Sequence, residues 1–204
     1  MLRRFALWLP PLLVAFAATG AVAADVYRTD AAAGPGAPDF SGVEIGPDLG
    51  VGLGTAGSVN ISGPAGGAHV GYNFQAGRIV GGVEADAIFG SIRSGSLGSA
   101  SFAQDFLSSA RVKGGYVFGS LLAYGTVGWA WSTTEYKDPS GSSSQTVKGL
   151  AYGVGAEFPI TRNVSLRAEL LRYDFGGATY FVPPSPVSIT TSTNVARVGA
   201  SLHF

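Results

Sequence analysis

The chain has 204 residues, 46% of them apolar and only 13% charged, about half the charged share of an ordinary soluble domain. Thirteen basic and thirteen acidic residues give no electrostatic footprint for nucleic acid, and the lack of cysteine excludes disulfides and thiolate chemistry. So few charges would not cover a water-exposed surface. Yet beyond the N-terminus no run supplies the roughly 20 apolar residues of a spanning helix, which leaves a closed barrel of strands as the way across a bilayer.

The first element is an export signal. Arg3 and Arg4 precede an apolar run over residues 5–16, and Ala21-Val22-Ala23 is a small-residue cleavage site. Pro10-Pro11 argues against a buried helix there. Cleavage between Ala23 and Ala24 removes two arginines, leaving 11 basic against 13 acidic residues, a net charge of −2. Residues 1–23 are thus expected to be a signal peptide, 24–39 a flexible Ala/Gly/Pro-rich periplasmic lead-in, and 40–204 a barrel.

From Phe40 the chain alternates at period two, the mark of strands with two unlike faces. In the first, Val43, Ile45, Pro47, Leu49, Val51 and Leu53 oppose Glu44, Gly46, Asp48, Gly50 and Gly52. The second sets Ala68, Val70, Tyr72 and Phe74 against His69, Gly71, Asn73 and Gln75; the third, Val83, Ala85, Ala87 and Phe89 against Gly82, Glu84, Asp86 and Ile88. In the fourth, Phe106, Ala110, Val112, Tyr116 and Phe118 oppose Arg111, Lys113 and Gly115. The fifth, less regular, places Leu121, Val127, Trp129 and Trp131 on the apolar face. The sixth sets Leu150, Tyr152, Val154, Ala156 and Phe158 against Gly153, Gly155 and Glu157; the seventh, Val164, Leu166, Ala168 and Leu170 against Ser165, Arg167 and Glu169. The last sets Ala196, Val198, Ala200, Leu202 and Phe204 against Arg197, Gly199, Ser201 and His203.

Ten charges therefore share one face: Glu44, Asp48, Glu84, Asp86, Arg111, Lys113, Glu157, Arg167, Glu169 and Arg197. A soluble ligand-binding barrel would line its interior with large apolar side chains and turn polar ones outward. Here the bulky apolar face must meet lipid. Short turns near residues 75–78, 118–121 and 160–163 alternate with polar stretches at 55–66, 91–101, 134–146 and 177–192, read as external loops. The expected fold is all-β, an eight-stranded antiparallel up-and-down transmembrane β-barrel with both termini in the periplasm. Pro47 cannot donate to a ladder, so a bulge or kink is expected at that position.

Three segments carry a family resemblance. Gly66-Gly67-Ala68-His69-Val70-Gly71-Tyr72-Asn73-Phe74-Gln75 with Gly82-Val83-Glu84-Ala85-Asp86 resembles a hairpin of the small Gram-negative outer-membrane surface-antigen (immunogenic, porin-like) β-barrel family, related to the OmpA-type barrel. Val154-Gly155-Ala156-Glu157, Asn163-Val164-Ser165-Leu166-Arg167-Ala168-Glu169 and Tyr173-Asp174 are similar to its sixth-to-seventh-strand hairpin, and Asn194-Val195-Ala196-Arg197-Val198-Gly199 with Phe204 to its last strand. The opening departs, with Val43 and Glu44 where the family has aromatics. The resemblance implies location in the cell outer membrane and contact with its lipids and lipopolysaccharide. It also implies insertion by the barrel-assembly machinery and roles in envelope integrity and surface antigenicity; it does not imply a catalytic site, and no enzyme is expected. Phe204 resembles the terminal aromatic signal read by that machinery.

The remaining motifs carry little chemistry. Gly52-Leu53-Gly54-Thr55-Ala56-Gly57 matches a dinucleotide-binding string but lacks the following helix, so no cofactor is expected. Two histidines, His69 and His203, exclude a multi-histidine metal site, and no metal is expected. His69 lies toward the outer rim, where a lipid A-modifying enzyme would carry its histidine, but no serine or acid accompanies it at a recognisable spacing. A narrow eight-stranded lumen is just wide enough for side chains, so its six acids and four bases should pair into a plug. The lumen glycines leave open the alternative of a small-solute or ion channel.

Overall fold

The computed structural model describes residues 38–57, 59–94, 101–138, 141–182 and 185–204. The expected signal peptide, its Ala23–Ala24 junction and most of the lead-in lie outside them. The strands are β1 (Gly42–Ala56), β2 (Val59–Ala76), β3 (Ile79–Ser94), β4 (Ser101–Phe118), β5 (Leu121–Asp138), β6 (Gly141–Pro159), β7 (Val164–Val182) and β8 (Ser185–His203). Each pairs antiparallel with the next, and β1 pairs with β8 to close the barrel. The eight-stranded all-β fold is the one the alternation required.

The two faces are inverted relative to a soluble protein. Leu49 is 69% exposed and Trp129 67%, while Glu44, Asp48, Glu84 and Arg111 are buried. On β5, Val127 and Trp129 point outward against inward Tyr124, Thr126 and Ala130, which fixes the phase of the least regular segment. On β4 a register shift between Gln104 and Phe106 swings Gln104 into the lumen, although it is out of phase with Leu107, Ser109 and Arg111.

Two expectations are corrected. Pro47 produces no bulge: its register with Ala68 on β2 is unbroken, and the β1–β8 ladder lapses only between Ile45 and Asp48 before resuming in the same register. The missing N–H therefore costs one edge of one strand. The polar stretches at 55–66, 134–146 and 177–192 are mostly strand among the described residues, while residues 95–100 of the stretch at 91–101 lie outside them. Ala56 already pairs with Val59, Asp138 with Gly141 and Val182 with Ser185, so the strands run on into tight hairpins. Their polarity marks the edge of the lipid, whereas their Thr- and Ser-rich alternation still suits a strand. At 15 to 19 residues, the strands far exceed the 9–11 needed to span. At the other end Gly77 and Gly119 adopt φ of 64° and 63°, a left-handed conformation that a tight turn demands and glycine takes without strain.

Inside, the packing falls into three layers. Nearest the termini, Phe40 tucks under the barrel with Val80, Val117, Leu122 and Tyr124, its N–H donating to Gln75 Oε1 at 2.9 Å. A charged layer follows. Beyond it an apolar cluster includes Ile88, Leu107, Leu171, Tyr173, Phe175 and Val195, with the Tyr173 and Phe175 rings parallel at 6.4 Å.

Candidate functional site: the barrel lumen

All ten charges read onto one face project into the lumen, none more than 6% exposed. Their centre is a cluster of three arginines and three acids. Arg111 bonds Glu84 and, at 2.7 Å, Asp86. Arg167 reaches Glu84 at 2.8 Å and Glu169 at 2.7 Å. Arg197 reaches Glu169 at 2.5 Å and Asp86 at 2.9 Å. Tyr124 donates to Glu169 at 2.9 Å and Ser109 to Asp86 at 2.8 Å. Charges taken this far from water persist only when paired and hydrogen-bonded.

Strand register builds most of this directly, since Glu84 faces Arg111 and Glu169 faces Arg197 across neighbouring strands. One pair that register sets side by side does not form. Glu157 stands opposite Arg167 in register, but Arg167 turns to Glu84 and Glu169. Glu157 is instead held by Ser165 and by His203 Nε2 at 2.9 Å. Arg167 thus reaches across the lumen to Glu84 on β3 rather than to its wall neighbour Glu157, a choice that register cannot encode.

Nearer the termini, Lys113 Nζ lies 2.7 Å from Glu44 and 4.0 Å from Glu157, over the Tyr124 ring at 5.0 Å, and Asn73 donates to Glu44 at 3.0 Å. Glu44, Glu157 and His203 bring three potential metal-ligating atoms within 4.8 Å. The Lys113 ammonium already supplies the cation there, so these residues fit an internal ion pair better than a metal.

The reading of His69 as unaccompanied is corrected. His69 Nδ1 lies 2.9 Å from Asp48 Oδ2 and its Nε2 lies 2.9 Å from Ser201 Oγ, a Ser–His–Asp relay drawn from β1, β2 and β8. These residues stand 21 and 132 positions from His69, so local spacing could not reveal them; the register of β1 on β2 brings Asp48, and closure of β1 on β8 brings Ser201. Ser201 is 1% exposed, and a relay needs a reachable nucleophile as well as connectivity. The apolar outer layer also went unread. Leu171, Tyr173 and Phe175 continue the inward phase of Arg167 and Glu169, and extending that phase past Leu170 would have found them.

Comparison with known proteins follows the same lines. The model of the outer membrane protein β-barrel domain matches residues 12–204. This chain belongs to that family. Among its relatives, a 22 kDa outer membrane protein of Rhizobium leguminosarum bv. viciae is 30% identical over 161 residues, covering 74% of this chain and 76% of that one. A 31 kDa outer-membrane immunogenic protein of Brucella melitensis is 28% identical over 232 residues, covering 94% and 97%. Neisserial surface protein A shares the fold with a TM-score of 0.56 at 17% identity, over 80% of this chain and 98% of that one. OprG from Pseudomonas aeruginosa does so at 0.52 and 14%, over 82% and 98%. This member of the outer-membrane barrel family therefore resides in the outer membrane, with a salt-bridged lumen.

Proposed function

We propose that this outer-membrane barrel is a non-conducting structural protein that supports the envelope and presents its long hairpins at the cell surface as antigens. The observation that carries this reading is the filled lumen: an ionic layer sealed by Phe40, Val80 and Leu122 on one side and by Leu107, Leu171, Tyr173 and Phe175 on the other. A water-filled pore does not fill its bore with fully buried apolar and aromatic side chains such as Leu171, Tyr173 and Phe175. The names of the immunogenic relatives support surface display.

Insertion by the barrel-assembly machinery is part of the same reading. Phe204 is 72% exposed on the lipid face at the end of the closing strand, where a folding catalyst can reach it. Single-channel recording in planar bilayers tests the leading proposal. A flat baseline is expected, and reproducible conductance steps would establish the channel instead.

The Asp48–His69–Ser201 relay favours a second reading, an acyl hydrolase. The burial of Ser201 supports a structural role for the relay, in which the serine and aspartate hold the His69 ring across the seam between β1 and β8. Covalent labelling of Ser201 by a fluorophosphonate would reverse that judgement.

A further inference from the structure

The chain enters the barrel through a short strap outside the sheet. Residues 38–41 precede β1 and join no ladder, and of the four only Phe40 is buried, at 1% exposure. Strand pairing starts at Gly42, which faces Asn73 on β2. Gly42 holds φ of 110°, a left-handed value that a side chain would strain, and a Cβ there would run into the Phe204 carbonyl oxygen. Phe204 in turn donates its N–H to the Val43 carbonyl at 3.0 Å. The chain therefore turns on a glycine at the foot of the β1–β8 seam, and that turn delivers the Phe40 ring under the bore.

Opposed forces act on this strap. The Phe40 ring packs with Val80, Val117, Leu122 and Tyr124 and meets the His203 ring edge-on, with centroids 6.4 Å apart at 74°. Gln75 ties the strap to the wall, its Oε1 accepting from the Phe40 N–H at 2.9 Å and its Nε2 donating to the Pro38 carbonyl at 3.1 Å. Asp39 accepts from the Ser41 N–H at 2.9 Å, which keeps the strap compact. The polar groups at this end of the lumen act the other way. Among the described residues, Glu157 Oε2, His203 Nδ1 and Asn73 Oδ1 are buried without a hydrogen-bond partner, and such atoms are costly until water reaches them. Apolar burial closes the strap, and polar hydration favours its opening.

We propose that residues 38–41 form a hinged strap that opens and closes the terminal end of the lumen, swinging on Gly42 to lift Phe40 off His203 and admit water to Glu44, Lys113, Glu157 and His203. The open state is a blind vestibule. The apolar layer of Leu107, Leu171, Tyr173 and Phe175 lies beyond the charged layer and takes no part, so opening hydrates the network from one end and makes no through pore. Lys113 on β4 reaches Glu44 on β1 at 2.7 Å, and His203 on β8 bonds Glu157 on β6 at 2.9 Å. Water admitted there raises the local dielectric and weakens both links. The position of the strap thus sets how firmly these four strands are tied at the rim. The proposal extends the sealed lumen and rests on it only for the far seal.

The chain has two histidines and no cysteine, so acylation of imidazole by diethyl pyrocarbonate reports on the strap. His203 lies against Phe40 at the mouth, while His69, held between Asp48 and Ser201, is the internal control. The barrel extracted in mild detergent is treated with the reagent, and mass spectrometry follows each histidine separately. Phe40→Ala should speed modification of His203 by on the order of a hundredfold, the equilibrium effect of deleting a buried phenylalanine ring, and leave His69 at the parent rate. Gln75→Ala removes two bonds to the strap and should speed it by about tenfold. Phe40→Leu keeps an apolar plug and should restore most of the protection. Equal His203 rates in the parent and Phe40→Ala overturn the proposal, as does equal acceleration of both histidines, which would mean general loosening. Heat-modifiable migration establishes that each variant is folded. Conductance of the parent barrel would sink the sealed lumen without changing the ratio of the two histidines, so the two failures are distinguishable.

Discussion

Replacing Arg111 with alanine removes the side chain that joins Glu84 to Asp86 on β3 and comes within 3.9 Å of Glu169. Breaking a buried pair from one side costs about 3–5 kcal/mol because the surviving charge is stranded away from water. Here the stranded carboxylates keep other partners. Glu84 retains Arg167 and Arg197, and Asp86 retains Arg197 and Ser109. The loss therefore falls at the lower end, about 3 kcal/mol. With a urea dependence of about 2 kcal/mol per molar, the unfolding midpoint should drop by about 1.5 M. Tryptophan fluorescence in detergent micelles follows the transition, because Trp129 and Trp131 leave their outward positions on β5 when the barrel opens. Adding Glu84→Gln alone to an Arg111→Met background removes one acid with the one base and leaves Asp86 to Arg197 and Glu169 to Arg167 and Arg197, so it should restore part of the loss. A single variant that unfolds at the parent midpoint would refute the idea that the network is dry and coupled, and would point to water solvating the lumen.

Further outcomes follow from other parts of the wall and lumen. Val154→Arg puts a cation on the lipid face of β6 and should cost about 2–4 kcal/mol near the bilayer midplane, measured by urea titration in lipid vesicles. Tyr173→Ala empties a ring from the fully buried apolar layer and should cost about 3–5 kcal/mol; conductance of the folded variant then reports whether that layer seals the bore. Deleting Phe204 should lower outer-membrane levels and cause periplasmic accumulation, followed by fractionation, while the small amount that assembles keeps its heat-modifiable migration. N-terminal sequencing of the envelope protein should begin at Ala24, and a sequence beginning at Met1 would contradict the export signal.

What the sequence determined by itself is whatever period two and lipid dictate locally. Successive side chains of a strand point to opposite faces, so Glu84 and Asp86, or Arg167 and Glu169, had to share a face, and that face could not be the one bearing Val83, Leu166 and Leu170. The strand number, the inverted faces and the burial of all ten charges follow from that rule together with the shortage of surface charge. Strand ends were less legible, because Ser- and Thr-rich segments such as residues 141–146 mark the end of the lipid but not the end of backbone pairing. Tertiary structure decided the partners. Pairing of β1 with β2 brought Asp48 to His69, closing β1 on β8 brought Ser201, and the narrow bore let Arg167 and Arg197 reach across to Glu84 on β3. It also gathered Gly114, Gly125 and Tyr152 into one groove from three strands. Alternation assigns each side chain a face; the shear and diameter of the closed barrel decide which side chains on that face meet.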